Sequence, residues 1–113
     1  MTKKLSLLVS QHFRQLLENA ADFYARHASA EIAGNFLDSV EQAIMYIAQN
    51  PHASMRYIPP DGFPEFEILN YRIFNLKISS PFPYSIYYEM EEDAVVIHSL
   101  YHHSQNRELH VIK

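Results

Sequence analysis

The sequence predicts an α+β domain: an N-terminal strand, a two-helix antiparallel hairpin, and a small antiparallel β-sheet on which the hairpin packs. Two apolar stripes at helical spacing lie between residues 10 and 50. From about residue 68 the pattern changes to runs of β-branched and aromatic residues, which suit a pleated, half-buried surface. Between the last two of these runs stand Glu91, Glu92 and Asp93, adjacent carboxylates that resist burial together and mark a solvated turn.

Leu5–Val9 is short and apolar and reads as the first strand. Ser10 is placed to cap the next element, its hydroxyl accepting an orphan N–H. Phe13, Leu16, Leu17, Ala20 and Tyr24 form one face of a helix that runs to about His27. Ser29 caps a second helix, and Glu31 suits the positive end of its dipole. Its expected apolar stripe is Ile32, Phe36, Val40, Ala43, Ile44 and Ile47. Asn50-Pro51 ends it, because proline disfavours helical backbone at the residue before it. The short link between the two helices implies an antiparallel pair. Pro51 to Pro64, with Pro59, Pro60 and Gly62 between them, reads as a long loop. Ile68–Ile78 is then a strand, with Arg72, Phe74, Leu76 and Ile78 expected on one face. A hairpin follows, with arms Pro83–Met90 and Ala94–Tyr101. Leu109–Lys113 is a short apolar tail, either a last strand or a partner contact.

The chain has 113 residues, enough for a single domain with one core. Hydrophobic residues make up 48% of it, a composition that buries a core rather than staying disordered. There is no cysteine, hence no disulfide and no thiolate chemistry, which fits a cytoplasmic protein. No run approaches the roughly 20 apolar residues of a membrane helix, and Met1–Val9 lacks the length of a signal peptide. The net charge of −4 argues against a broad nucleic-acid surface. No cofactor is called for. His98, His102 and His103 do not suggest a metal site. On an extended strand His98 and His102 would share a face about 13 Å apart, too far for one ion with ligands at about 2 Å.

Four segments in order resemble the ParE/RelE toxin superfamily, and within it the ParE, or plasmid stabilisation, branch. They are Tyr46-Ile47-Ala48-Gln49-Asn50-Pro51, Tyr71-Arg72-Ile73-Phe74, Phe82-Pro83-Tyr84-Ser85-Ile86-Tyr87-Tyr88 and Ile97-His98-Ser99-Leu100-Tyr101-His102. The resemblance implies the toxin of a bacterial type II toxin–antitoxin module. Its expected partners are a small antitoxin that wraps the toxin and DNA gyrase as the target. A homodimer and a heterotetramer with the antitoxin both stay open. Relatives on the RelE side cut mRNA in the ribosomal A site, and one fold hosts both activities. One departure stands out: Gln105 occupies a position where the family commonly has Arg, and a neutral amide cannot replace a guanidinium. Arg107, two residues on, is a substitute.

The resemblance thus singles out Arg72, His102, Gln105 and Arg107 as target-binding residues, with Tyr84 and Tyr88 supporting them. Arg72 has a structural reading too, as a partner for a carboxylate at Glu65 or Glu67. Leu109, Val111 and Ile112 are the expected antitoxin contacts. A ribonuclease would instead use His102 or His103 as base and acid, Arg72 to stabilise phosphorane charge, and Glu67 or Glu65 as a second base, with Tyr101 stacking a nucleobase. The acidic chain speaks against docking on ribosomal RNA. The third reading is a protein of this fold that has lost its toxicity, motivated by Gln105.

Overall fold

The computed structural model describes residues 6–52, 55–56 and 71–104. Strand β1 (Ser6–Val9) leads through Ser10 into helix α1 (Gln11–His27), and α2 (Ala30–Gln49) follows after a two-residue break. Four strands come next: β2 (Met55–Arg56), β3 (Tyr71–Asn75), β4 (Tyr84–Met90) and β5 (Ala94–His102). They form a five-stranded sheet in the order β1-β5-β4-β3-β2.

The helices start where capping chemistry permits. Ser10 Oγ accepts the Phe13 N–H at 2.9 Å, and Ser29 Oγ accepts the Ile32 N–H at 3.1 Å. At the far end of α2, Asn50 donates its backbone N–H to the Tyr46 carbonyl and its side-chain amide to the same oxygen. Pro51 blocks further helix. The buried stripe of α2 is Ala33, Phe36, Val40, Ala43 and Ile47. Ile32, expected on that stripe, is exposed instead, and Ala33 takes the position against the core.

The sheet has the expected antiparallel part and gains the N-terminal strand as a parallel edge, so that it is mixed. β3, β4 and β5 run antiparallel as a meander, but β1 lies parallel to β5, with Ser6 opposite Ala94 and Val9 opposite Ile97. A parallel pair needs a long crossover between its strands. Here both helices and the whole meander provide it. The strand expected over 68–78 also ends early. Asn75 Oδ1 accepts the Lys77 N–H at 2.9 Å and turns the chain into a short 3-10 segment, Leu76–Ile78. Leu76 stays buried, but Ile78 swings out and is 76% exposed.

Aromatic rings join the layers. Phe36 of α2 lies 5.1 Å from Tyr24 of α1, 5.2 Å from Phe82 and 5.0 Å from Tyr84 between ring centroids. Behind them Val40, Ile47, Ile86, Tyr88, Val95, Ile97 and Leu100 complete one core. Tyr88 is fully buried, and its hydroxyl donates to the Pro51 carbonyl at 2.7 Å. That bond fastens the end of α2 to the middle of the sheet.

Ser10 makes a second contact that its capping role does not require. Its hydroxyl donates to the His98 carbonyl at 2.8 Å, 88 residues away in sequence. Replacing Ser10 by Ala removes both bonds and is expected to cost about 2 kcal/mol. Ser29→Ala removes an exposed cap alone and is expected to cost about 1 kcal/mol. Urea midpoints of the two variants test the ranking; equal losses would show that the tie to His98 contributes nothing.

Candidate functional site

β4 and β5 together position the residues at the end of the hairpin. Their ladder places Tyr84 opposite His102, Ser85 opposite Tyr101 and Ile86 opposite Leu100. Successive residues on a strand point to opposite faces. Tyr84, Ile86, Leu100 and His102 therefore lie on the face that the helices cover. Ser85, Tyr87, Ser99 and Tyr101 lie on the other.

The ladder has one irregularity. Tyr87 pairs with Ser99 but Tyr88 pairs with Ile97, so His98 is an extra residue on β5. The bulge sends His98 to the face away from the helices, where its Nε2 lies 2.8 Å from Oε1 of Glu89. This corrects the sequence expectation for the histidines. His98 and His102 were to share a face of a regular strand; the extra residue puts them on opposite faces. Among the described residues, no three His, Cys, Asp or Glu side chains converge as a metal ligand set.

His102 and His103 are separated as well. The His102 ring packs edge-on to Tyr84, with centroids 5.0 Å apart, and its Nδ1 lies 2.7 Å from Ser104 Oγ. His103 turns to the opposite face, where its Nε2 is 2.9 Å from the hydroxyl of Ser85, itself only 3% exposed. The His103 N–H donates to the Pro83 carbonyl at 2.8 Å and closes the end of the ladder. The two rings are thus held on different sides of the sheet and do not face one reacting centre.

Arg72 sits on β3, half-buried, opposite Tyr88. Tyr88 is four residues along β4 from Tyr84, the neighbour of His102. Strand spacings then put the Arg72 and His102 backbones about 16 Å apart. The sequence reading grouped these residues; the ladder distributes them over two ends of the sheet. Tyr84 and Tyr88 are both buried, Tyr84 in the aromatic cluster and Tyr88 with its hydroxyl on the Pro51 carbonyl. Glu65, Glu67, Gln105, Arg107, Leu109, Val111 and Ile112 lie outside the described residues.

A family model described as the ParE toxin of the type II toxin-antitoxin system, parDE, matches residues 7–107. This chain belongs to the ParE toxin family. A chain from the chromosomal ParDE TA system of P. aeruginosa has a similar structure, with a TM-score of 0.70 over 89% of this chain and 98% of that one. The two sequences are 15% identical, so this likeness speaks for the fold. No curated protein matches the sequence.

In this ParE-family chain the residues that carried the resemblance are mainly those that build the sheet. Ser85 and Ser104 were not foreseen as site residues, although each sits beside a histidine in space. Ser85 was legible only as one letter of the Phe-Pro-Tyr-Ser segment. No helix among the described residues is long and apolar enough to cross a membrane.

Burial pushes the Tyr84 phenol above its ordinary value of 10.0, and the nearby Tyr24 hydroxyl adds to the effect. Tyr24 is raised by burial too. Both phenols are therefore neutral donors at physiological pH. Between the unfolded value and the raised folded values, the folded chain keeps protons that the unfolded chain has lost. Stability is then full below pH 10.0 and falls as pH rises through the folded values. Urea midpoints are expected to drop on crossing pH 10.0, and to drop less steeply in Tyr84→Phe. A variant slope identical to the parent's would contradict this.

Proposed function

We propose that this ParE-family toxin arrests growth by gripping a protein target, DNA gyrase, and that a small antitoxin from the same module neutralises it. The family membership over residues 7–107 carries this reading. The geometry at the end of the hairpin favours binding over turnover. A ribonuclease needs a base, an acid and a charge stabiliser around one phosphate. Here His102 and His103 are held on opposite faces, and Arg72 is about 16 Å from His102 by strand spacing. The net charge of −4 is consistent with a protein rather than an RNA partner.

Arg72, His102, Gln105 and Arg107 form the proposed target contact, with Tyr84 and Tyr88 as the packed base beneath it. Arginine is well suited to such a contact, because its planar fork pairs with carboxylates and is weakly hydrated. For the antitoxin, the proposed contacts are Leu109, Val111 and Ile112. Exposed apolar residues on the helices, Phe23 and Leu37 among them, agree with a toxin that buries further surface against a partner.

The purified protein is expected to inhibit gyrase supercoiling. Arg72→Ala, checked for an unchanged thermal melt, is expected to raise the inhibitory concentration roughly tenfold, the loss of one good interface anchor. Adding the antitoxin encoded beside it should restore supercoiling. Clean A-site cuts in mRNA on translating ribosomes would overturn the gyrase reading in favour of the ribonuclease. Unhindered growth on inducing the chain alone would identify a fold that has lost its toxicity.

A further inference from the structure

The outward side of α2 differs from an ordinary solvated helix face. The buried stripe of this helix is Ala33, Phe36, Val40, Ala43 and Ile47. Away from it, Glu31, Gly34, Leu37, Asp38, Glu41 and Met45 follow one another at spacings of three and four, as one strip along the helix. The carboxylates Glu31, Asp38 and Glu41 are exposed. So are two large apolar side chains of the strip, Leu37 at 40% and Met45 at 56%. Helix α2 contains no Lys, Arg or His. Among the described residues, no ion pair joins these carboxylates to a cation of the chain.

Gly34 lies within this strip. A Cβ added there meets no atom of the fold within 4 Å, the backbone of its own helix aside. The residue is helical, a conformation open to any side chain. Neither packing nor backbone geometry within the chain therefore asks for a glycine. Glycine inside a helix is nevertheless less stable than alanine, because it loses more freedom on folding. What a bare backbone offers at such a place is close approach from outside.

We propose that the outward face of α2 docks a basic amphipathic helix of a partner protein, which crosses α2 at Gly34. The partner lays apolar side chains against Leu37 and Met45 and sets Lys or Arg against Glu31, Asp38 and Glu41. Charge selects this occupant. A second copy of the chain docked through the same face would set carboxylates against carboxylates, whereas a cationic helix meets complementary charge along the whole strip. The charges fix orientation and exclude wrong partners; the apolar anchors and the close crossing supply most of the affinity. The surface shares no residue with the proposed target contact, so it does not depend on the gyrase reading.

Titration calorimetry of the full chain with synthetic helices tests this. The probe is a peptide with a leucine stripe flanked by lysines; its controls carry Glu in place of Lys, or Ser in place of Leu. The lysine–leucine peptide is expected to bind roughly tenfold more tightly than either control. Gly34→Gln puts a side chain into the crossing and should weaken that binding roughly tenfold. Asp38→Asn combined with Glu41→Gln should weaken it about threefold and flatten its salt dependence. Leu37→Ser, at an exposed site, should weaken it about fivefold and stands in if Gly34→Gln does not fold. Gly34→Ala is expected to raise the folding constant about fourfold, read from urea midpoints. A fall in stability would instead assign the glycine to the chain's own fold and overturn the proposal. So would equal binding of the lysine and glutamate peptides, no binding by any peptide, or binding untouched by the Gly34 and Leu37 substitutions. Self-association in sedimentation runs without peptide, abolished by Gly34→Gln, would make a second copy the occupant and overturn it too.

Discussion

At His98, β5 carries one residue more than the strand beside it, and the hydroxyl of Ser10 meets the carbonyl of that residue at 2.8 Å. Much of the arrangement depends on this point. A bulge takes its extra residue out of the regular ladder and increases the local twist. It also resets the alternation of faces. Val95 and Ile97 face the helices before the bulge, and Leu100 and His102 face them after it. A regular strand would have turned Leu100 away from the core and Ser99 and Tyr101 toward it. The Ser10 N–H donates to the Ile97 carbonyl next door, so the start of α1 is tied to the bulge by two bonds. Burial of the α1 face and the facing of β5 are therefore set together.

The middle of the sheet is held by equivalent means. Tyr88 fills the core and spends its hydroxyl on Pro51, so the end of α2 cannot drift from β4. Phe82 and Tyr84 pack into the seam between the helices against Tyr24 and Phe36. A buried phenol must find a hydrogen-bond partner or pay for its desolvation, which makes such contacts specific as well as stabilising. The outcome is a rigid platform whose rim carries His102, while Arg72 occupies the opposite end of the same face.

For this ParE-family chain the elements were largely legible from local signals. Ser10 and Ser29 as caps, Asn50-Pro51 as a stop, and Glu91–Asp93 as the hairpin turn all stand where the chain uses them. Each works through backbone groups within a few residues, so sequence neighbours suffice to read it. The end of β3 was harder. Asn75 is a common enough residue, and its side-chain bond to Lys77 outweighs the apolar alternation that continues through Ile78. On α2, Ala33 rather than Ile32 continues the buried stripe, because a residue three before Phe36 lies on the same helix face as well as one four before it.

Composition and order of residues thus determined the α+β class, both helices, the hairpin arms and the family. Tertiary structure decided which residues share a face and which meet. Strand β1 pairs in parallel with β5 across both helices and strands β2 to β4, a long-range pairing that no local pattern encodes. His98 and His102 were to share one face of a regular strand, but a single inserted residue sends them to opposite sides. His102 and His103 were adjacent letters, yet one is held by Ser104 and the other by Ser85 across the ladder. Local propensity sets the elements, whereas strand register and bulges are set by long-range pairing, and these alone bring functional side chains together or keep them apart.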